Sequence, residues 1–187
     1  MAHHSPVREP APYRGEGPHA LWHVSEDPAI TVFHPHRART ALQDEPRVWA
    51  VDTRHLPLYW FPRVCPRGTF WADPATTDAD VAGFLGDRSR RVHAVEPPWE
   101  ARMRTAEVYA YRLPDDGFEP YEQAGGYWVA RATVEPVEVR PLGNLVELHE
   151  AAGIELRVVP RLLELWNEVI ASTLEFSGIR LANARSD

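Results

Sequence analysis

The placement of proline constrains this chain more than any other feature. Its 187 residues include 18 prolines, about twice the usual ~5%. They stand mostly between apolar segments rather than within them. Proline fixes φ and has no N–H, so it interrupts helices and central strands alike. The pattern predicts many short elements joined by stiff loops. An apolar fraction of 44%, with 7 Trp, is enough to give those elements a core, which excludes global disorder.

Residues 1–18 carry Pro6, Pro10, Pro12 and Pro18 without apolar periodicity, and read as a disordered Pro-rich leader. Residues 19–187 read as a single α+β domain, a mixed or antiparallel sheet with flanking helices. Strands are expected at Ala20–Ser25, Val48–Val51, Gly68–Trp71, Arg91–Val95, Glu107–Leu113, Tyr127–Ala132, Val134–Arg140 and Ile154–Val159. Alternation in the first puts Leu21, His23 and Ser25 on one face and Trp22 and Val24 on the other. Thr53 is the expected cap of a short helical stretch through Tyr59 and Phe61. Thr77 is the expected cap of a helix ended by Gly86, and Asn144 of one stopped by Gly153. A last helix starts at Pro160, with Gly178 beyond its end. Its stripe is Leu162, Leu165, Trp166, Val169, Ile170 and Leu174.

Charge narrows the chemistry. All 20 basic residues are Arg, and Lys is absent. Schiff-base chemistry, Lys-anchored pyridoxal phosphate and a GxxxxGK[ST] phosphate loop are thereby excluded. A net charge of −7 disfavours nucleic-acid binding through a broad basic face. Cys65 is the only cysteine, so no internal disulfide forms and no cysteine zinc site exists. This usage fits a reducing cytoplasm. No apolar run approaches the ~20 residues of a membrane span.

Several residues are candidates for chemistry. His23 lies mid-strand, where an imidazole orients a ligand by hydrogen bonding; a core histidine bonded to a carbonyl is the competing reading. The segment from Leu56 to Arg67 repeats Pro-Arg around Tyr59, Trp60 and Phe61. Arg63 and Arg67 suit phosphate or carboxylate recognition, and Tyr59 suits stacking on a ring. The same segment reads equally as a core wall whose arginines pair with Asp52 or Asp73. Glu135 is a strand carboxylate able to stabilise a developing cation. His34 and His36 have metal-like spacing without an evident third ligand, so no metal is expected. His149, between Glu147 and Glu150, reads as part of a solvated helix face. Cys65 as a nucleophile would need Arg63 and Arg67 to lower its pKa.

Two resemblances follow from these residues. The blocks LWHVSEDPAITVF, VWAVDTRHLPLYWFPRVCPRGTFW and SGIRLANA resemble an uncharacterised bacterial domain-of-unknown-function family, over roughly Ala20 to Ala184. That family implies no established activity. The run Leu21-Trp22-His23-Val24-Ser25, with Val48-Trp49-Ala50-Val51-Asp52 and then Tyr59, also resembles the ADP-ribosyltransferase-like fold. That fold includes the rifampin-modifying transferases and the RNA phosphotransferases. Pro57 departs from its plain helix, and the third position lacks the usual Gln/Glu-x-Glu pattern. This second resemblance implies NAD as substrate. His23 holds ribose, Tyr59 packs on nicotinamide, and Glu135 (Tyr127 as fallback) stabilises an oxocarbenium-like centre. Ser25, Arg63, Arg67 and Arg180 complete the expected ligand set.

The expected activity is therefore transfer of ADP-ribose, or a related group, from a nucleotide-like small molecule. The alternative is a non-catalytic binding or interaction module with an aromatic-proline contact surface. His23 and Tyr59 in separate packing environments would favour that alternative.

Overall fold

The computed structural model describes residues 20–37, 45–86, 89–121 and 126–185; the leader expected over 1–18 lies outside them. Along the chain run β1 (Leu21–Ser25), β2 (Val48–Asp52), a 3-10 turn (Leu56–Tyr59), β3 (Arg67–Trp71) and α1 (Asp78–Asp80, continued as a π turn over Val81–Leu85). Then come β4 (Arg91–Val95), α2 (Pro97–Thr105), β5 (Tyr109–Leu113), β6 (Glu119–Pro120), β7 (Tyr127–Ala130) and β8 (Glu138–Pro141). The last elements are α3 (Leu145–Ala151), β9 (Glu155–Val158), α4 (Leu162–Ile170), β10 (Glu175–Ile179) and a 3-10 turn (Leu181–Asn183). The class is α+β, with mostly antiparallel pairing. Among the described residues no helix is long and apolar enough to cross a membrane.

Contacts divide the chain into two compact units. Among the described residues, one contains those from 20 to 60 and from 107 to 143; the other contains those from 61 to 106 and from 144 to 185. Each has its own sheet and its own apolar cluster.

The first unit is a six-stranded antiparallel sheet in the order β6-β7-β2-β1-β5-β8. All five residues of β1 pair with β5, from Leu21↔Leu113 to Ser25↔Tyr109, while Leu21 and Trp22 also pair with Asp52 and Val51 of β2. Directly paired residues share a face, and neighbours along a strand alternate. One face therefore carries Leu21, Ala50, Tyr111 and Leu113, which form a cluster with Phe33, Val48, Ala130 and Val134. The other face carries Trp22, fully buried, whose Nε1 donates to Thr53 Oγ1 at 3.1 Å.

The second unit has four strands in the order β10-β3-β4-β9, and only β4–β9 is parallel. Phe70, Val92 and Ala94 face α4, packing with Leu162, Val169 and Leu174. Gly68 lies on that side too, where an added Cβ would meet the Trp166 ring at 3.0 Å. Thr69 and His93, registered opposite each other, face the other way.

Several expectations are corrected. Thr53 does not cap a helix; its hydroxyl serves Trp22 and the Ala20 carbonyl instead. α4 stops at Ile170 and not near Gly178. Beyond it, the Ser172 hydroxyl bonds the Val169 carbonyl and accepts from Leu174 N–H, and Thr173 bonds Asp80. Such local bonds compete with helix continuation, and Gly178 falls inside β10. α2 was not anticipated, because Met103 is its only buried residue and it shows no apolar stripe. The strand expected over Val134–Arg140 is confined to Glu138–Pro141, with Val134 in an isolated bridge to Phe33. Thr77 and Asn144 do cap as expected, accepting from Asp80 N–H and from Val146 and Glu147 N–H.

Leu162 is fully buried at the first position of α4, and its N–H donates to the buried Glu96 carboxylate at 3.3 Å. Leu162→Ala opens a cavity in the second cluster and is expected to cost about 2–5 kcal/mol, measured as a lowered urea midpoint with unchanged slope.

Candidate functional site

The parity of β1 decides where the expected site residues go. His23 pairs with Tyr111 and so lies on the face of the first cluster. Its Nδ1 is 2.9 Å from the Trp49 carbonyl, and its ring lies 4.7 Å from that of Phe33. Ser25 shares that face, and its hydroxyl accepts from Asp27 N–H at 3.1 Å. Glu135 is exposed and follows Val134, which exchanges backbone hydrogen bonds with Phe33. His23 and Glu135 thus flank Phe33.

Tyr59 is elsewhere. Its hydroxyl is 2.9 Å from that of Tyr127, with the rings edge to face at 6.4 Å. Tyr127 is registered opposite Val51, and Val51 opposite Trp22. Tyr59 therefore belongs to the face opposite His23. The three residues that the transferase resemblance groups in one cleft are not grouped in this sheet. On the His23 side, Glu135 and Glu138 border a shallow open groove with Ile30, Thr31, Tyr111 and Val139. Glu138 there is held by Arg140, with Nε 2.6 Å from Oε1, and Glu135 is the carboxylate that opposes an anionic ligand such as a diphosphate. The Tyr111 hydroxyl is already engaged there, donating to the Asp27 carbonyl at 2.6 Å and accepting from Ile30 N–H at 3.2 Å.

The arginines lie in the second unit. Arg63 is exposed. Arg67 is buried, donates to the Cys65 carbonyl at 3.0 Å and covers the Phe61 ring at 5.1 Å. Its guanidinium holds the chain together rather than presenting a fork to solvent. Arg180 is exposed with φ +58°, just before the last 3-10 turn. Cys65 is buried, and that burial pushes its thiol up to about 12 despite Arg67 and Arg102 nearby. It is not an activated nucleophile. Neither Asp52 nor Asp73 serves these arginines as expected: Asp52 bonds His55, and Asp73 organises a turn through Thr76 and Ala75. His34 and His36 are exposed, and among the described residues no cluster of three metal-ligating side chains forms around them.

The aromatic-proline segment is mostly interior. Leu56, Pro57, Leu58, Trp60, Phe61 and Pro62 are all buried, and only Tyr59, Arg63 and Val64 reach the surface. The contact surface expected there does not exist in that form.

Sequence reasoning missed a second grouping, next to Tyr59. His55 Nδ1 lies 2.7 Å from Asp52 Oδ1, which also accepts the His55 backbone N–H at 2.9 Å. The carboxylate fixes the Nδ1–H tautomer, so Nε2 is the basic nitrogen. Asp52 N–H in turn donates to the Gly126 carbonyl at 2.9 Å. Gly126 has φ +77°, and a Cβ there would lie 1.9 Å from His55 Nδ1. Glycine is what seats the imidazole against β7. Tyr127 follows Gly126, and Tyr59 ends the 3-10 turn that His55 begins. The result is an oriented imidazole on the turn after β2 and, separately, a hydroxyl pair on the Tyr127 side of the sheet. The available signal was the Asp-x-x-His spacing at the end of a strand, a pattern shared with ordinary turns.

Gly126→Ala should cost about 2 kcal/mol or more, from positive φ and the displaced ring together. The matching readout is loss of the His55 Nδ1–H resonance at low field. An alanine variant with that resonance and unchanged stability would refute the seating role.

Comparison with known proteins adds a family and no activity. No curated protein and no solved structure matches the chain. A family model described as a family of unknown function (DUF6886) matches residues 22–184. The oriented imidazole, the tyrosine pair and all of both sheets but Leu21 fall within that match, and the chain belongs to this family of unknown function.

Proposed function

We propose that this chain is a binding module for a small nucleotide-like ligand and that it does not transfer ADP-ribose. One observation carries the reading: His23 and Tyr59 occupy opposite faces of the same sheet. A glycosyl transfer of the expected kind needs ribose, nicotinamide and a stabilising carboxylate in one cleft. With the stacking residue on one face and the ribose-holding residue on the other, those roles are not performed together. The groups implied for NAD transfer do not fit this sheet, and no chemical step is assigned to it.

The recognition site proposed instead is the Tyr59–Tyr127 pair. A half-buried tyrosine ring offers a face for a planar heterocycle at low entropic cost. The hydroxyl pair offers directional hydrogen bonds beside it. His23 is half-buried and is assigned a packing role through the Trp49 carbonyl and the Phe33 ring.

Calorimetric titration with NAD tests this reading. Tyr59→Ala should weaken binding more than tenfold, about 1.4 kcal/mol. His23→Ala should leave affinity unchanged while lowering the melting temperature. Nicotinamide should not be released. Nicotinamide release that disappears in His23→Ala and Glu135→Gln would restore the transferase, and absence of NAD binding by the wild type would remove the nucleotide site.

A further inference from the structure

His149 was expected on a solvated helix face, between Glu147 and Glu150. It is fully buried instead, because Leu145 and His149 stand four residues apart and point inward together while Glu147 and Glu150 point out. It meets His93, also fully buried, on β4. His93 Nδ1 lies 2.9 Å from His149 Nε2, with the rings edge to face at 5.0 Å. The Phe61 ring closes over both, at 5.5 and 5.1 Å.

The hydrogen-bond chemistry assigns both tautomers. His149 Nδ1 is 2.6 Å from the Leu145 carbonyl, so it carries a proton. In the neutral ring, Nε2 then accepts, and His93 Nδ1–H donates to it. That leaves the lone pair of His93 Nε2. This atom is buried and has no hydrogen-bond partner among the described residues. It is the one place on the pair where a proton adds without breaking a bond.

The surroundings oppose that proton. On β3, Thr69 stands opposite His93 and gives its hydroxyl to the Ser177 carbonyl at 2.9 Å. Leu156 of β9 stands opposite it on the other side, where the flanking Glu155 and Arg157 pair with each other at 2.7 Å. The charged groups acting on His93 are Arg91 of β4 and Arg67 of β3, both cations. α2 brings Arg102, which acts on Cys65. Burial, helped by these cations and by His149, holds His93 well below the ordinary imidazole range. Burial alone pulls His149 down to about 4, against the pull of its bond to Leu145.

α3 is short and jointed at both ends. Gly143 precedes it and Gly153 follows it, both with φ +69°. Inside it only Leu145 and His149 are buried. We propose that the His93–His149 pair is an acid-released latch, holding α3 on the four-stranded sheet while both rings are neutral and freeing it when a proton adds. Lifting this helix is the smallest movement that hydrates both rings, and it leaves the β3–β4 pairing intact.

The pH window follows from the two depressed groups. The open form takes up protons near the ordinary value of 6.5, and the closed form does so only near 4 or lower. The latch is fully closed above about pH 6.5 and weakens as pH falls below it. Between pH 6.5 and 4.5 each ring contributes about fiftyfold, so the opening constant should rise on the order of a thousandfold.

Hydrogen exchange of the full chain, corrected for intrinsic rates, reads this directly. In the wild type the amides of residues 146–152 should lose protection on the order of a thousandfold over that range, while those of β3 and β4 keep theirs. The double variant His93→Asn with His149→Gln keeps one donor–acceptor pair and cannot titrate, so its helix opening should not depend on pH. Simultaneous loss of α3 and β4 protection in the wild type would overturn the latch, as would an unchanged pH response in the double variant. If the variant does not fold, imidazole 15N shifts of the wild type decide. Two neutral rings in the closed form at pH 5 support the latch; a charged ring in a closed α3 contradicts it.

Discussion

The pairing of β1 with β5 on one side and β2 on the other is the constraint on which the six-stranded sheet depends. Leu21 stands opposite both Leu113 and Asp52, and Trp22 opposite both Arg112 and Val51. A slip by one residue would send Leu21 and His23 to the opposite face and bring Trp22 into the place of Leu21. The bond from Trp22 Nε1 to Thr53 locks the choice, because an indole N–H buried without an acceptor costs free energy. Once that register is set, His23 belongs with Tyr111 and Phe33, and Tyr59 belongs with Tyr127. The functional reading is a consequence of strand parity.

Much of the fold was legible in the sequence, for physical reasons that can be named. Alternation in Leu21–Ser25 gave both faces of β1 correctly, since half-buried strands carry period-two patterns. Thr77 and Asn144 announced helix starts because their side chains can satisfy orphan N–H groups. α2 carried no such signal. Its nine residues show no apolar stripe, and Met103 alone is buried. β10 was hidden because its Glu-Phe-Ser-Gly-Ile run follows an apolar helical stripe that seemed to continue through Leu174.

The candidate site was less legible, because each residue was assigned by local chemistry while the sheet assigns it by face. His23 and Tyr59 were chosen for what an imidazole and a phenol can do, and nothing local says that a whole sheet separates them. Asp52 was considered only as a partner for arginine. Its real partner, His55, is three residues away across a turn, and Gly126 makes room for the ring from a distant strand. His149 was misread because its charged neighbours dominate the local pattern. The buried spacing to Leu145 becomes visible only once His93 supplies a polar partner inside the core. In both units, polar groups close to the core are tied to one another or to the backbone, as buried polar groups must be. The His93 Nε2 lone pair departs from that rule among the described residues, as does the Trp49 indole N–H.

The most direct test of the central claim is which aromatic rings are neighbours in solution. Nuclear Overhauser contacts among specifically labelled His, Tyr and Phe rings measure this in the intact chain. The account predicts contacts from His23 to Phe33 and from Tyr59 to Tyr127, the pairs 4.7 and 6.4 Å apart between ring centroids, and none between His23 and Tyr59. A contact between the His23 and Tyr59 rings would place them on one face and contradict it.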